Sequence, residues 1–151
     1  MIDRQRYEEK IMRATPFEAI KINYELIFET IEIFKKDKSP VELMDSLLQM
    51  VRSLKHALNL DEEIGIQLLL FYETVGRSLM EVKYSILRNR MERAMNKIIE
   101  VEEMLKIVYD GIIGLEDVTT AGYNPVSTVG MTYDKEGNLM EYAESTHDFK
   151  L

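Results

Sequence analysis

The stretch Thr15–Lys36, TPFEAIKINYELIFETIEIFKK, carries Ile20, Tyr24, Ile27, Ile31 and Phe34 at alternating steps of four and three. That spacing lines the five side chains along one side of an α-helix. Phe17, Leu26 and Ile33 widen the stripe, so the helix must face more than one neighbour. Its start is written residue by residue. Thr15 is placed to cap the first free amides, Pro16 suits the first helical position, and Glu18 completes a capping box. A stripe this wide is unstable in water unless other helices cover it, and the chain supplies three.

Ser39-Pro40-Val41-Glu42 repeats the start signal and opens a second helix to about Leu58, with Met44, Leu47, Val51, Leu54 and Leu58 at helical spacing. Asn59 and Asp61 mark a break, with Asp61 as the expected cap of a third helix. That helix carries Ile64, Leu68, Phe71, Val75, Leu79 and Val82, and its interior Gly76 suggests a close helix contact. Asn89, with Glu92 three residues on, reads as the restart. A fourth helix then carries Ala94, Ile98, Val101, Leu105, Val108 and Ile112 and is expected to end at Gly111 and Gly114. Asp3–Arg13 predicts a short amphipathic N-terminal helix with Tyr7 and Ile11 on one side. Four helices of similar length with short connections predict an all-α, antiparallel up-down four-helix bundle.

The division expected is a helical bundle over 1–114 and an acidic C-terminal tail over 115–151. The tail has no helical period and carries seven carboxylates against two lysines. Within it, about Gly130–Ala143 reads as a β-hairpin turning at Asp134-Lys135-Glu136-Gly137, the alternative being an irregular or disordered tail. An isolated hairpin is marginal in water. Met131, Tyr133, Leu139, Met140 and Tyr142 therefore predict that it docks, on the bundle or on a partner. The expectation is that it covers part of the binding surface in the free protein.

Composition narrows the function classes. The chain has no cysteine, which removes disulfides, thiolate nucleophiles and cysteine-ligated metals. A net charge of −8 argues against binding a phosphate backbone. The charged start is no secretory signal and no apolar run is long enough to cross a bilayer, so a cytoplasmic location is expected. Bundles that hold paired metals do so with Glu-x-x-His pairs. The two histidines, His56 and His147, have no glutamate three residues before them. His56 lies off the apolar stripe and reads as an exposed surface residue, and no glycine-rich phosphate loop is present. The reading is of a binding protein, not an enzyme, with no metal and no cofactor.

The arrangement resembles the flagellar secretion chaperone family, FliS. Tyr7 is followed by Ala14-Thr15-Pro16, and Asn23-Tyr24-Glu25-Leu26 stands where the family has Leu-Tyr-Asp-Gly. Phe71-Tyr72-Glu73-Thr74 with Leu79 is similar to the family's Leu-Tyr-Asp-Tyr motif and the leucine that follows it. Leu26 replaces the glycine, Val82-Lys83 replaces an Ala-Asn pair, and the usual tryptophan late in the fourth helix is absent. The resemblance spans about Tyr7 to Ile112. It implies a chaperone that binds the disordered C-terminal segment of flagellin, prevents premature polymerisation and helps deliver it to the export gate. Apolar grooves would offset the ordering cost of such a client. The residues expected to form the groove and its gate are Tyr7, Ile11, Tyr24, Tyr72 and Met80. As a monomer or weak dimer the protein would leave those grooves open. The alternative is a self-associating structural or regulatory bundle with no export client, since surplus apolar surface also makes dimers.

Overall fold

The computed structural model describes residues 15–37, 41–115, 117–124, 132–133 and 139–140. Four helices account for most of them: α1 Pro16–Asp37, α2 Val41–His56, α3 Glu63–Leu87 and α4 Met91–Leu115. The expected N-terminal helix, with Tyr7 and Ile11, and the second start signal at Ser39-Pro40 lie outside the described residues.

The capping box at the head of α1 forms as its sequence dictates. Glu18 N donates to Thr15 Oγ1 at 3.2 Å, and Thr15 N donates to Glu18 Oε1 at 3.1 Å. Two of the helix's free amides are thereby satisfied. Ile20, Tyr24, Ile27, Ile31 and Phe34 are all fully buried. Thr30, also buried on this helix, satisfies its hydroxyl by donating back to the Leu26 carbonyl at 2.8 Å.

The helices pack in a ring, α1–α2–α3–α4, closed by α4 against α1. Cross-helix pairs fix the directions. Lys83 late in α3 meets Asp45 early in α2, and Lys97 early in α4 meets Glu81 late in α3. Tyr24 stacks on Tyr109 while Lys35 reaches Glu102, so α1 rises as α4 falls. The result is the antiparallel four-helix bundle expected from the spacing. Each large apolar side chain taken fully inside contributes roughly 1.5–3 kcal/mol, and all four helices donate several.

Helix ends depart from the sequence reading in four places. Leu58 is not helical. The last turn of α2 tightens through Ala57 N to Leu54 O and Leu58 N to Lys55 O, and Leu58 then forms an antiparallel bridge with Tyr123. Asp61 does not cap α3. Its amide is taken by Asn59 Oδ1 at 3.0 Å, and Glu62 stands at the cap position without a side-chain bond. Asn89 ends α3 instead of starting α4. It adopts φ 58, with Asn89 N bonded to Ile86 O and Arg90 N to Ser85 O. Those two bonds are a Schellman motif with asparagine at the left-handed position. Finally, α4 runs through Gly111 and Gly114 to Leu115.

The chain beyond α4 begins as part of the bundle. Val118, Ala121 and Tyr123 are buried in the common core, which therefore extends past the expected boundary at 114. Backbone bonds secure this segment to the α2–α3 connection: Asn59 N to Gly122 O at 2.8 Å and Asn124 N to Ala57 O at 2.7 Å. Gly76, the expected close contact, has open space where a Cβ would stand. The close approach is at Gly65, where a Cβ would run into the Asn59 carbonyl, opposite Gly122 at φ 91. Further on, β1 (Thr132–Tyr133) pairs antiparallel with β2 (Leu139–Met140), Thr132 opposite Met140 and Tyr133 opposite Leu139. The turn residues between them lie outside the described residues. β2 sits against α2.

Candidate binding cleft

Two tyrosines expected at the site, Tyr24 on α1 and Tyr72 on α3, do meet. They meet inside the ring, where their hydroxyls are 2.5 Å apart and neither ring has accessible surface. The Tyr72 hydroxyl also bonds that of Tyr123, which is equally buried. Three hydroxyls thus satisfy one another in an apolar core, the condition for burying them at all. Burial raises all three above the ordinary phenol range; for Tyr24 the bond from Tyr72 offsets part of the rise. Tyr24 and Tyr72, expected along a groove, are both buried in the core, and neither ring touches solvent. A tyrosine on an apolar stripe carries its polar tip inside when other hydroxyls await it.

The aromatic cluster continues outward from this core. Tyr24 stacks on Tyr109 at 4.9 Å between ring centres, Phe28 meets Tyr109 edge-on at 5.8 Å, and Tyr72 lies 5.4 Å from Phe71. Phe71 is half-buried and opens onto the surface. There it joins Ile64, Gln67 and Leu68 of α3 and Val108, Gly111, Ile112 and Leu115 of α4 as the walls of an open cleft. The walls are apolar apart from Gln67, and Gly111, with no side chain, keeps one of them low. Leu70 and Ile107, chain neighbours of Phe71 and Val108, are 59% and 74% exposed. Such a cleft suits an apolar segment and presents no acid–base pair or nucleophile.

Met80 is partly buried, lies about 13 Å along α3 from Phe71, and is not among the cleft's lining residues. Tyr7 and Ile11 lie outside the described residues. Ile64, Leu68, Phe71, Val108 and Ile112 stand at helical spacing in the sequence, which does not mark them as a cleft. The available signal was the width of the α3 stripe, with Ile66 and Leu70 apolar beside it. β2 sits against α2, which contributes no residue to the cleft.

His56 is exposed, as its position off the stripe predicts. Among the described residues no helix is long and apolar enough to cross a membrane. Among them, too, no three His, Asp or Glu side chains gather in a way that would hold a metal ion. Comparison of the chain with protein-family models, with curated proteins and with solved structures finds no match.

Proposed function

We propose that the chain is a holding chaperone that shelters an apolar, unfolded segment of a client in the α3–α4 cleft. The observation that carries this reading is the cleft itself: an apolar trough, open to solvent, between α3 and α4. A segment that folds into it recovers its ordering cost from the apolar surface it buries. The resemblance to the FliS family supplies the client, the C-terminal segment of flagellin, held in the cytoplasm and passed to the export gate. Tyr24 and Tyr72 then serve by setting the spacing of α1 and α3 behind the cleft, with the partly buried Phe71 and Val108 as the contact residues.

Titration of the full chain with a flagellin C-terminal peptide tests it. Binding is expected in the micromolar range and is expected to fall at least tenfold in Phe71→Lys. Absence of heat and of chemical-shift change at high micromolar peptide defeats the proposal. The exposed Ile66 and Leu70 support a second reading, in which copies of the chain associate through α3. Light scattering separates the two: a stable dimer that blocks peptide binding favours self-association, and a monomer favours the chaperone.

A further inference from the structure

The α3–α4 turn places charge where the chain as a whole has none to spare. The net charge is −8, yet a recess at this turn is lined by Arg88, Arg90, Arg93 and Lys97 together with Tyr84, Ser85 and Glu81. The Schellman turn at Asn89 causes the clustering. It reverses the chain sharply, so that guanidiniums from the end of α3, the turn and the first turn of α4 share one hollow. Lys97 is engaged, at 3.4 Å from Glu81 and 3.2 Å from Glu100. That pairing also answers the one carboxylate lining the recess. Arg88, Arg90 and Arg93 are exposed and make no ion pair among the described residues.

We infer that this recess docks a short acidic segment of a partner protein that also carries an apolar side chain. Three guanidinium forks are matched to carboxylates, which they bind in two-pronged fashion. Tyr84 lines the same recess and is 51% exposed, giving an aromatic face that a bare anion does not need. The positive charge is confined to one turn. Beyond it the acidic surface repels a long phosphodiester backbone or an anionic membrane, whereas a short segment held in a hollow avoids that repulsion. The recess is separate from the apolar cleft of the proposed function. It lies at the C-terminal end of α3, about 35 Å along that helix from the Gly65–Gly122 contact, and its occupant is recognised by different chemistry.

The test is fluorescence anisotropy on the full chain with a labelled short peptide of aspartates and glutamates around one phenylalanine. Saturable binding is expected at about 10–100 µM in low salt, weakening as salt is added. The triple variant Arg88→Ser, Arg90→Ser, Arg93→Ser is expected to bind about tenfold more weakly or worse. Tyr84→Ser should lose affinity for this peptide but not for one in which serine replaces the phenylalanine. All three arginines are exposed, so thermal unfolding should be unchanged in the triple variant, and a binding loss then reports on the recess alone. Absence of saturable binding overturns the inference, and so does equal binding by the triple variant. Equally tight binding of oligothymidylate or of phosphatidylserine vesicles overturns the choice of a peptide.

Discussion

Lys35, in the last turn of α1, donates at 2.8 Å to Glu102 in the middle of α4, a carboxylate only 5% exposed. The pair closes the ring of helices at the α1–α4 seam. Glu102 is held there by Lys35, with Lys106 further off at 3.9 Å. Removing the lysine leaves a covered carboxylate with weak compensation. Lys35→Met is expected to destabilise the protein by about 1–2 kcal/mol, read as a lower denaturant midpoint with unchanged slope. The double variant Lys35→Met, Glu102→Leu should recover most of that loss. The bonds to Glu102 and Glu32 raise the Lys35 ammonium above its ordinary 10.5. Its contribution is therefore complete below that pH and lost as pH rises through the higher folded value.

The buried hydroxyls of Tyr24, Tyr72 and Tyr123 predict alkaline unfolding. An unfolded tyrosine ionises near 10.0, and burial raises these three. The unfolded chain sheds its phenolic protons first, so stability is complete below pH 10.0 and declines above it. Tyrosinate absorbance from these residues should appear together with loss of helical circular dichroism. In the triple phenylalanine variant the decline should be shallower. Tyrosinate forming ahead of unfolding, in full stoichiometry, would contradict their burial.

Two glycines in α3 should respond in opposite directions to alanine. At Gly76 a Cβ meets nothing within 4 Å, and alanine is expected to stabilise by up to about 1 kcal/mol. At Gly65 a Cβ collides with the Asn59 backbone, which is itself bonded to Gly122. Gly65→Ala should destabilise by roughly 2 kcal/mol or more. Thermal melts of both variants decide it.

Ser53 is buried, with its Oγ lacking a hydrogen-bond partner among the described residues. Ser53→Ala removes a hydroxyl that gains nothing from being inside. A small rise in stability, up to about 1 kcal/mol, is expected. A fall of that size would mean that the hydroxyl has a partner, such as an ordered water.

Truncation locates the true end of the bundle. A chain ended after Asn124 should keep nearly the full unfolding free energy. One ended after Leu115 loses Val118, Ala121 and Tyr123 from the core and should lose roughly 3–5 kcal/mol. Equal stability of the two would return the boundary to 114.

The four helices were legible because each writes its apolar period and most write a start. Thr15 and Glu18 are a local pair, readable without knowledge of the rest. Asn89 shows where local reading stops. Asparagine serves both as an N-cap and as a left-handed C-terminal residue, and only the bond from Arg90 to Ser85 decides between them. Gly65 and Gly122 are close because of a long-range contact that no window of sequence contains. Tyr24 and Tyr72 were found by position, but their depth depends on Tyr123, supplied from a stretch without helical period. Phe71 and Val108 carry the same periodic signature as core residues. Spacing alone does not say whether the two helices close fully over a stripe or leave it at the bottom of a cleft.

Tyr123 has one more consequence, for the order in which the protein is made. The hydroxyl that bonds Tyr72 arrives some fifty residues after it and about a hundred after Tyr24. While the chain emerges from the ribosome, all of α1, α2 and α3 can be present with this part of the interior still open. A nascent bundle in that state has solvent at its tyrosines and an apolar gap beside Ala57 and Leu58, the surface that the 117–124 segment will cover. The bundle completes its core only once the 117–124 segment has emerged, and a ribosome stalled within α4 holds a species exposing what the finished protein conceals.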